Sequence, residues 1–115
     1  MTVEAAVSAA ELKIAGDTPA TTEEAMLSMM IERFKEGAAP EIYRRFREKG
    51  RMMPEGLEFI SSWIDLGFKI CWQVMQTEDF PLFDKWIANW RDLVDFEIVP
   101  VRTSAEAVEI MSPKL

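Results

Sequence analysis

Apolar and polar positions alternate with a period of two in four stretches of this chain and recur with helical spacing in stretches between them. The longest patterned run, 57–77 (LEFISSWIDLGFKICWQVMQT), predicts two antiparallel strands folded back over a tight Asp65–Lys69 connection, with Gly67 supplying the turn conformation. Alternation sets Phe59, Ser61, Trp63 and Asp65 on one face of the first strand, and Ile60, Ser62 and Ile64 on the other. On the second strand it separates Ile70, Trp72, Val74 and Gln76 from Cys71, Gln73, Met75 and Thr77.

A strand–helix unit stands in front of this hairpin. Residues 25–34 (AMLSMMIERF) are apolar on nearly both faces, which predicts a central strand. Met26, Ser28, Met30, Glu32 and Phe34 share one side; Leu27, Met29 and Ile31 share the other. After a Lys35-Glu36-Gly37 turn, Pro40 opens a helix that runs to about Lys49, stops at Gly50 and buries Ile42, Tyr43 and Phe46. Behind the hairpin, Asp79 is the expected N-cap of a helix from Phe80 to about Asp92, with Leu82, Phe83, Trp86, Ile87, Trp90 and Leu93 at helical spacing. Residues 95–102 alternate as a last strand, Phe96 and Ile98 opposite Glu97, Val99 and Val101. Pro100 cannot donate to a ladder and so marks an edge or a bulge. Thr103/Ser104 then caps a short helix, SAEAVEIM.

This order is α+β: a ferredoxin-like βαββαβ unit with a four-stranded antiparallel sheet and both helices on one face. The other face is too apolar to stand in water, so a homodimer is expected. The domain occupies 26–108, between an N-terminal arm or linker (1–25) and a C-terminal tail (109–115). The arm holds a short Ala-rich helical segment, VEAAVSAAELKIA, broken by Gly16-Asp17-Thr18-Pro19. Its five acidic residues and one Lys make it a segment for a protein partner to order.

Composition narrows the chemistry. A net charge of −7 argues against nucleic-acid backbone binding, which needs clustered positive charge. No apolar run approaches the ~20 residues that span a bilayer, and the N-terminus lacks a secretory pattern, so a cytoplasmic protein without a membrane is expected. Cys71 is the one cysteine and closes no intrachain disulfide. The chain has no histidine, which excludes Ser-His-Asp and Cys-His catalysis and histidine-ligated metals or haem. No cofactor or metal is expected; what remains is carboxylate, hydroxyl, amide, Lys/Arg or thiol chemistry.

Glu32, inside an apolar strand, is the candidate acid/base, because burial raises a carboxyl pKa into a useful range. The alternative is a structural pairing with Arg33, Lys69 or Arg102. Ser61, Ser62, Trp63, Cys71 and Gln73 form a polar and aromatic set on the hairpin that suits a small-molecule wall. Trp63 and Trp72 serve equally as core or dimer interface, and Cys71 as an inert buried residue. Glu97, on the last strand, is a second carboxylate able to join Glu32 as a pair sharing a proton. The basic run Arg44–Arg51 offers either an anion-binding edge or a solvated helix face, the simpler reading for surface charges.

The segments MMIERFKEG, YRRFREKGRMMPEGL, SSWIDLGFKICWQVMQTED and KWIANWRDLVDFEIVPVRTSAEA resemble a small bacterial family of unknown function in the dimeric α/β-barrel superfamily, over residues 26–108. That superfamily includes cofactor-free monooxygenases, isomerases, polyketide cyclases, haem-degrading enzymes and ligand-sensing domains. The resemblance implies a dimer with a cavity and implies no particular reaction. The sequence is read as a protein that binds a small hydrophobic, oxygenated molecule, with a cofactor-independent monooxygenase, isomerase or cyclase as the enzymatic form of that reading. In that reading Glu32 is the acid/base, and Ser62 and Gln73 hold a carbonyl or hydroxyl. The alternative is a non-catalytic protein-interaction or ligand-sensing module.

Overall fold

The computed structural model describes residues 25–115; the N-terminal arm, apart from Ala25, and the short helix expected in it lie outside the described residues. The elements run β1 (Met26–Phe34), α1 (Ala39–Lys49), β2 (Glu58–Ile64), β3 (Ile70–Thr77), α2 (Pro81–Ile87), β4 (Val94–Pro100) and α3 (Ser104–Met111), with a closing 3₁₀ turn at Ser112–Lys114. The four strands form one open antiparallel sheet in the order β2-β3-β1-β4, which is the ferredoxin-like α+β topology expected. β1 is central, as its two apolar faces require. β4 is an edge, where the missing amide of Pro100 costs no ladder bond.

The helices α1 and α2 cover one sheet face. Met30 and Met75 from the strands pack there with Ile42 of α1 and Phe83 and Trp86 of α2. Phe83 is fully buried, which removes enough apolar surface from water to contribute on the order of 2–3 kcal/mol. Trp86 meets Phe96 edge to face with centroids 5.4 Å apart. The opposite face, carrying Leu27, Met29, Ile31, Trp72 and Val74, stays partly exposed, and Trp63 is 48% exposed.

Four local expectations are corrected. First, β2 is bulged: Phe59 pairs with Met75 and Ser61 with Val74, so Ile60 is an extra residue. The bulge rotates Phe59 onto the helix-covered face, away from Ser61 and Trp63, with which simple alternation groups it. Second, the positive φ in the hairpin turn falls on Phe68 (φ 60), not on Gly67. Asp65 stabilises that turn by accepting from the amides of Lys69 (2.7 Å) and Ile70 (2.8 Å), and those bonds hold its carboxyl below the usual range.

Third, Asp79 does not cap α2. Phe80 is the N-cap without a side-chain bond, and the Asp79 amide donates to Thr77 Oγ1 at 3.0 Å. The regular helix ends at Ile87, and the chain tightens into three-residue turns as Asn89, Trp90 and Leu93 donate to Trp86, Ile87 and Trp90. Fourth, of the α1 stripe only Ile42 is buried; Tyr43 and Phe46 are 41% and 39% exposed. Thr103 caps α3, one of the two caps expected, and the structure adds a reciprocal bond from its backbone to Glu106, but none of the helix's residues is buried.

Candidate functional site

Between the sheet and α1 lies a cavity of about 210 Å³, closed below by β1, β2 and β3 and walled by Ile42, Phe46, Trp86 and Trp90. This is smaller than the several hundred Å³ of a drug-sized site and suits a small molecule. Register explains its polar lining. Glu32 pairs with Cys71, Gln73 pairs with Ser62, and Ile64 pairs with Cys71, so these side chains emerge on the helix-covered face.

Glu32 is only 5% exposed. Its Oε2 accepts from Gln73 Nε2 at 2.6 Å, while Oε1 has no protein hydrogen bond among the described residues. Burial pushes the carboxyl from its ordinary 4.5 up to about 8, against the lowering effects of the Gln73 bond and the Arg51 charge. The acid is therefore largely protonated at neutral pH. Cys71, its cross-strand neighbour, is pushed up to about 12 by burial and by Glu32, so it stands as a neutral thiol with little nucleophilic character. Tyr43, on the cavity rim, is raised for the same reasons: burial first, then Cys71 and Glu32.

Arg51 completes the constellation. Its Nε donates to Gln73 Oε1 at 3.0 Å and its Nη2 to Ser62 Oγ at 3.2 Å, linking Ser62, Arg51, Gln73 and Glu32 in one chain of hydrogen bonds. The guanidinium lies 3.8 Å from the Phe59 ring centroid and 5.1 Å from that of Phe46. The bulge that turns Phe59 inward supplies the nearer ring. The backbone of Arg51 is fixed as well: its carbonyl accepts from the indoles of Trp86 (2.9 Å) and Trp90 (3.1 Å), and Met52 O accepts from Asn89. Gly50 and Met52, both at positive φ, bend the loop between α1 and β2 to bring Arg51 inward.

The structure thus brings Glu32, Ser62, Cys71 and Gln73 together. Trp63 borders the cavity, but its register partner is Trp72, which belongs to the uncovered face. Glu97 is not brought in. It pairs with Ile31 in register, and hence sits on the opposite face from Glu32, bound to Arg33 at 3.0 Å, so the carboxylate pair does not form. Nor is Glu32 paired with Arg33, Lys69 or Arg102. Arg51, Tyr43 and the two indoles of Trp86 and Trp90 are site members that strand alternation does not single out. Among the described residues no group of three or more Cys, Asp or Glu side chains is placed to hold a metal ion.

The basic run resolves into separate roles. Arg44 pairs with Glu41, and Arg45 forks onto Asp92 at 2.9 and 2.8 Å while donating to Asn89 O. A larger surface cleft of about 510 Å³ beside these residues is lined mostly by charged side chains, of which Arg45 and Asp92 bind each other, and offers no buried polar group to a ligand. Among the described residues no helix is long and apolar enough to cross a membrane.

Neither the curated proteins nor the solved structures gave a match to this chain. Residues 26–115, from the start of β1 to the C-terminus, match the family described as Domain of unknown function (DUF3303), and the chain belongs to that family.

Proposed function

We propose that this protein binds a small hydrophobic, oxygenated molecule in the cavity between sheet and helices. The observation that carries the reading is Glu32: a buried carboxyl on the cavity wall, neutral at neutral pH, with one oxygen free of protein partners among the described residues. A protonated carboxyl in an apolar site donates a hydrogen bond to a ligand carbonyl or hydroxyl and can pass a proton to it. Gln73 and Ser62, both bound to Arg51, orient the acid and the adjoining wall. Such a site suits cofactor-independent proton transfer of the isomerase or cyclase kind. The neutral Cys71 leaves Glu32, with its carboxyl pushed up to about 8, as the acid/base of the wall among the described residues.

The partly exposed sheet face is covered, in this reading, by the same face of a second copy, giving the homodimer of a dimeric α/β barrel. Its apolar stripe on the central strands favours a self-complementary contact.

The four tryptophans make the test direct. Fragment mixtures of aromatic acids, ketones and phenols are titrated while the indole N–H resonances are followed by heteronuclear NMR. Binding in the cavity shifts Trp86 and Trp90 and leaves Trp72 in place; no shift at Trp86 and Trp90 sinks the cavity reading. Light scattering at micromolar protein reports the assembly separately, and a monomer there removes the dimer.

A further inference from the structure

We infer that the cavity selects a small planar monoanion, an aromatic or unsaturated carboxylate, with Arg51 as the residue that sets the charge preference. This rests on the small-molecule reading above and names the ligand class it leaves open.

Charge balance around a buried carboxyl carries this assignment. Glu32 and Arg51 are the two residues lining the cavity that are charged at neutral pH in water. They do not touch as an ion pair: Glu32 is bonded to Gln73, and Arg51 reaches it only through the same amide. Burial then decides the outcome, because desolvation outweighs the attraction of Arg51 and keeps the carboxyl protonated. The guanidinium cannot lose its proton. A neutral acid beside an obligate cation leaves the wall with an uncompensated positive charge.

Arg51 is also prepared to meet an anion. Two of its donors are spent on Gln73 and Ser62, which fix the plane of the fork, and Nη1 has no protein acceptor among the described residues. Phe59 and Phe46 support the guanidinium with aromatic carbon and take no hydrogen bond from it. A carboxylate is the acceptor that matches this geometry. It would accept from Arg51 and also from the protonated Glu32, a donor that a phosphate-sized or dianionic group is not needed to explain. The remaining wall of Ile42, Trp86 and Trp90 is apolar and aromatic, which suits a flat hydrocarbon body.

The groups facing Glu32 from each packed element bear on the pH dependence. α1 presents Tyr43, the α1–β2 loop Arg51, β3 Cys71 and Gln73, and β2 Ser62, while β4 and α2 present Phe96 and Trp86. Of these only Arg51 is charged near neutrality, so the titration of Glu32 itself governs binding. Ionised Glu32 repels a carboxylate; affinity for the anion therefore falls as pH rises through about 8.

The probes are benzoate and its neutral isostere benzamide, measured by calorimetry and by the Trp86 and Trp90 indole shifts. Benzoate is expected to bind about tenfold tighter than benzamide at pH 7, the ratio a charge-assisted bond supplies. Arg51→Gln abolishes the preference and Arg51→Lys, which keeps the charge, retains most of it; circular dichroism verifies that both fold. Glu32→Gln keeps a donor at every pH and removes the loss of benzoate affinity at alkaline pH. Equal binding of the two probes overturns the anion inference and leaves the cavity reading standing, since the indoles still shift. A benzoate preference that survives Arg51→Gln also overturns it. If neither probe shifts the indoles, the anion inference falls, and the ketone and phenol mixtures decide the cavity reading by themselves.

Discussion

Replacing Glu32 by Gln separates the protein's pH response into a part due to one buried acid and a part due to everything else. The folded carboxyl titrates at about 8, against 4.5 when exposed. The native state thus holds a proton that the unfolded chain releases. Stability from this group is fully present below about pH 4.5, falls as pH rises, and is lost by the time pH passes about 8. A shift of roughly 3.5 units, at 1.36 kcal/mol per unit, amounts to about 5 kcal/mol at most. That is a large share of the ~5–15 kcal/mol that holds a domain together. Gln reproduces the protonated acid: its oxygen accepts from Gln73 as Glu32 Oε2 does, and its amide N–H replaces the acid O–H.

The assay is urea unfolding of both proteins from about pH 5 to pH 9, followed by tryptophan fluorescence. The slope on denaturant should be the same for both, since the surface exposed on unfolding is unchanged. Asp65 and Asp92 shift the other way, held low by their bonds to backbone amides and to Arg45, but they are present in both proteins and cancel in the difference. The difference in stability, Gln over Glu, is expected to grow by several kcal/mol between about pH 5 and pH 8 and then level off. Two parallel curves would refute the reasoning. They would mean that Glu32 is ionised in the folded protein at its ordinary pH, with Arg51 compensating it, and both the donor role of the acid and the uncompensated cation would go.

Two further outcomes follow from local geometry. Cys71, with its thiol pushed up to about 12, should resist iodoacetamide at pH 8 in the folded protein and react once urea unfolds it; fast labelling of the native protein would contradict the buried neutral thiol. Gly56, at φ +97 and with a Cβ position 3.0 Å from Leu82 Cδ1, should lose about 1–3 kcal/mol on replacement by Ala, read from thermal unfolding. Gly37→Ala, where the added methyl meets open space, should cost less.

Much of this was legible in the sequence because period-two patterning reports faces. Alternation alone put Glu32 on the side of Met30, and Cys71 and Gln73 on the side of Met75, and these are the residues whose pairing carries them beneath α1. The same rule would have separated Glu97 from Glu32 had the β1–β4 register been known. It could not be known, because a shift of one residue between two strands moves every side chain to the other face and the sequence does not print the register. Phe59 failed for a related reason. A bulge such as that at Ile60 resets alternation partway along a strand and leaves no periodic trace. The early end of α2 was hidden by a stripe that stays in phase through the tightened turns, so Trp90 is buried although the helix has stopped.

Arg51 was illegible in a deeper sense. In the sequence it is the last of five basic residues, just past the Gly50 stop of the helix, and the simplest expectation for such a run is solvent. Its actual position depends on more than the Gly50 stop: Met52 is at positive φ as well, two indoles hydrogen-bond to the Arg51 carbonyl from another element, and a phenyl ring is turned inward by a bulge. These departures from regular pattern all act on Arg51. Glu32 is the matching departure in β1, a carboxyl inside an otherwise apolar strand. Sequences that fold well keep their local rules consistent, and violations gather where function requires them. Here the violations come from β1, β2, the α1–β2 loop and the segment running from α2 toward β4, and they meet around one cavity. That convergence, more than any single residue, is the reason to look for the ligand there.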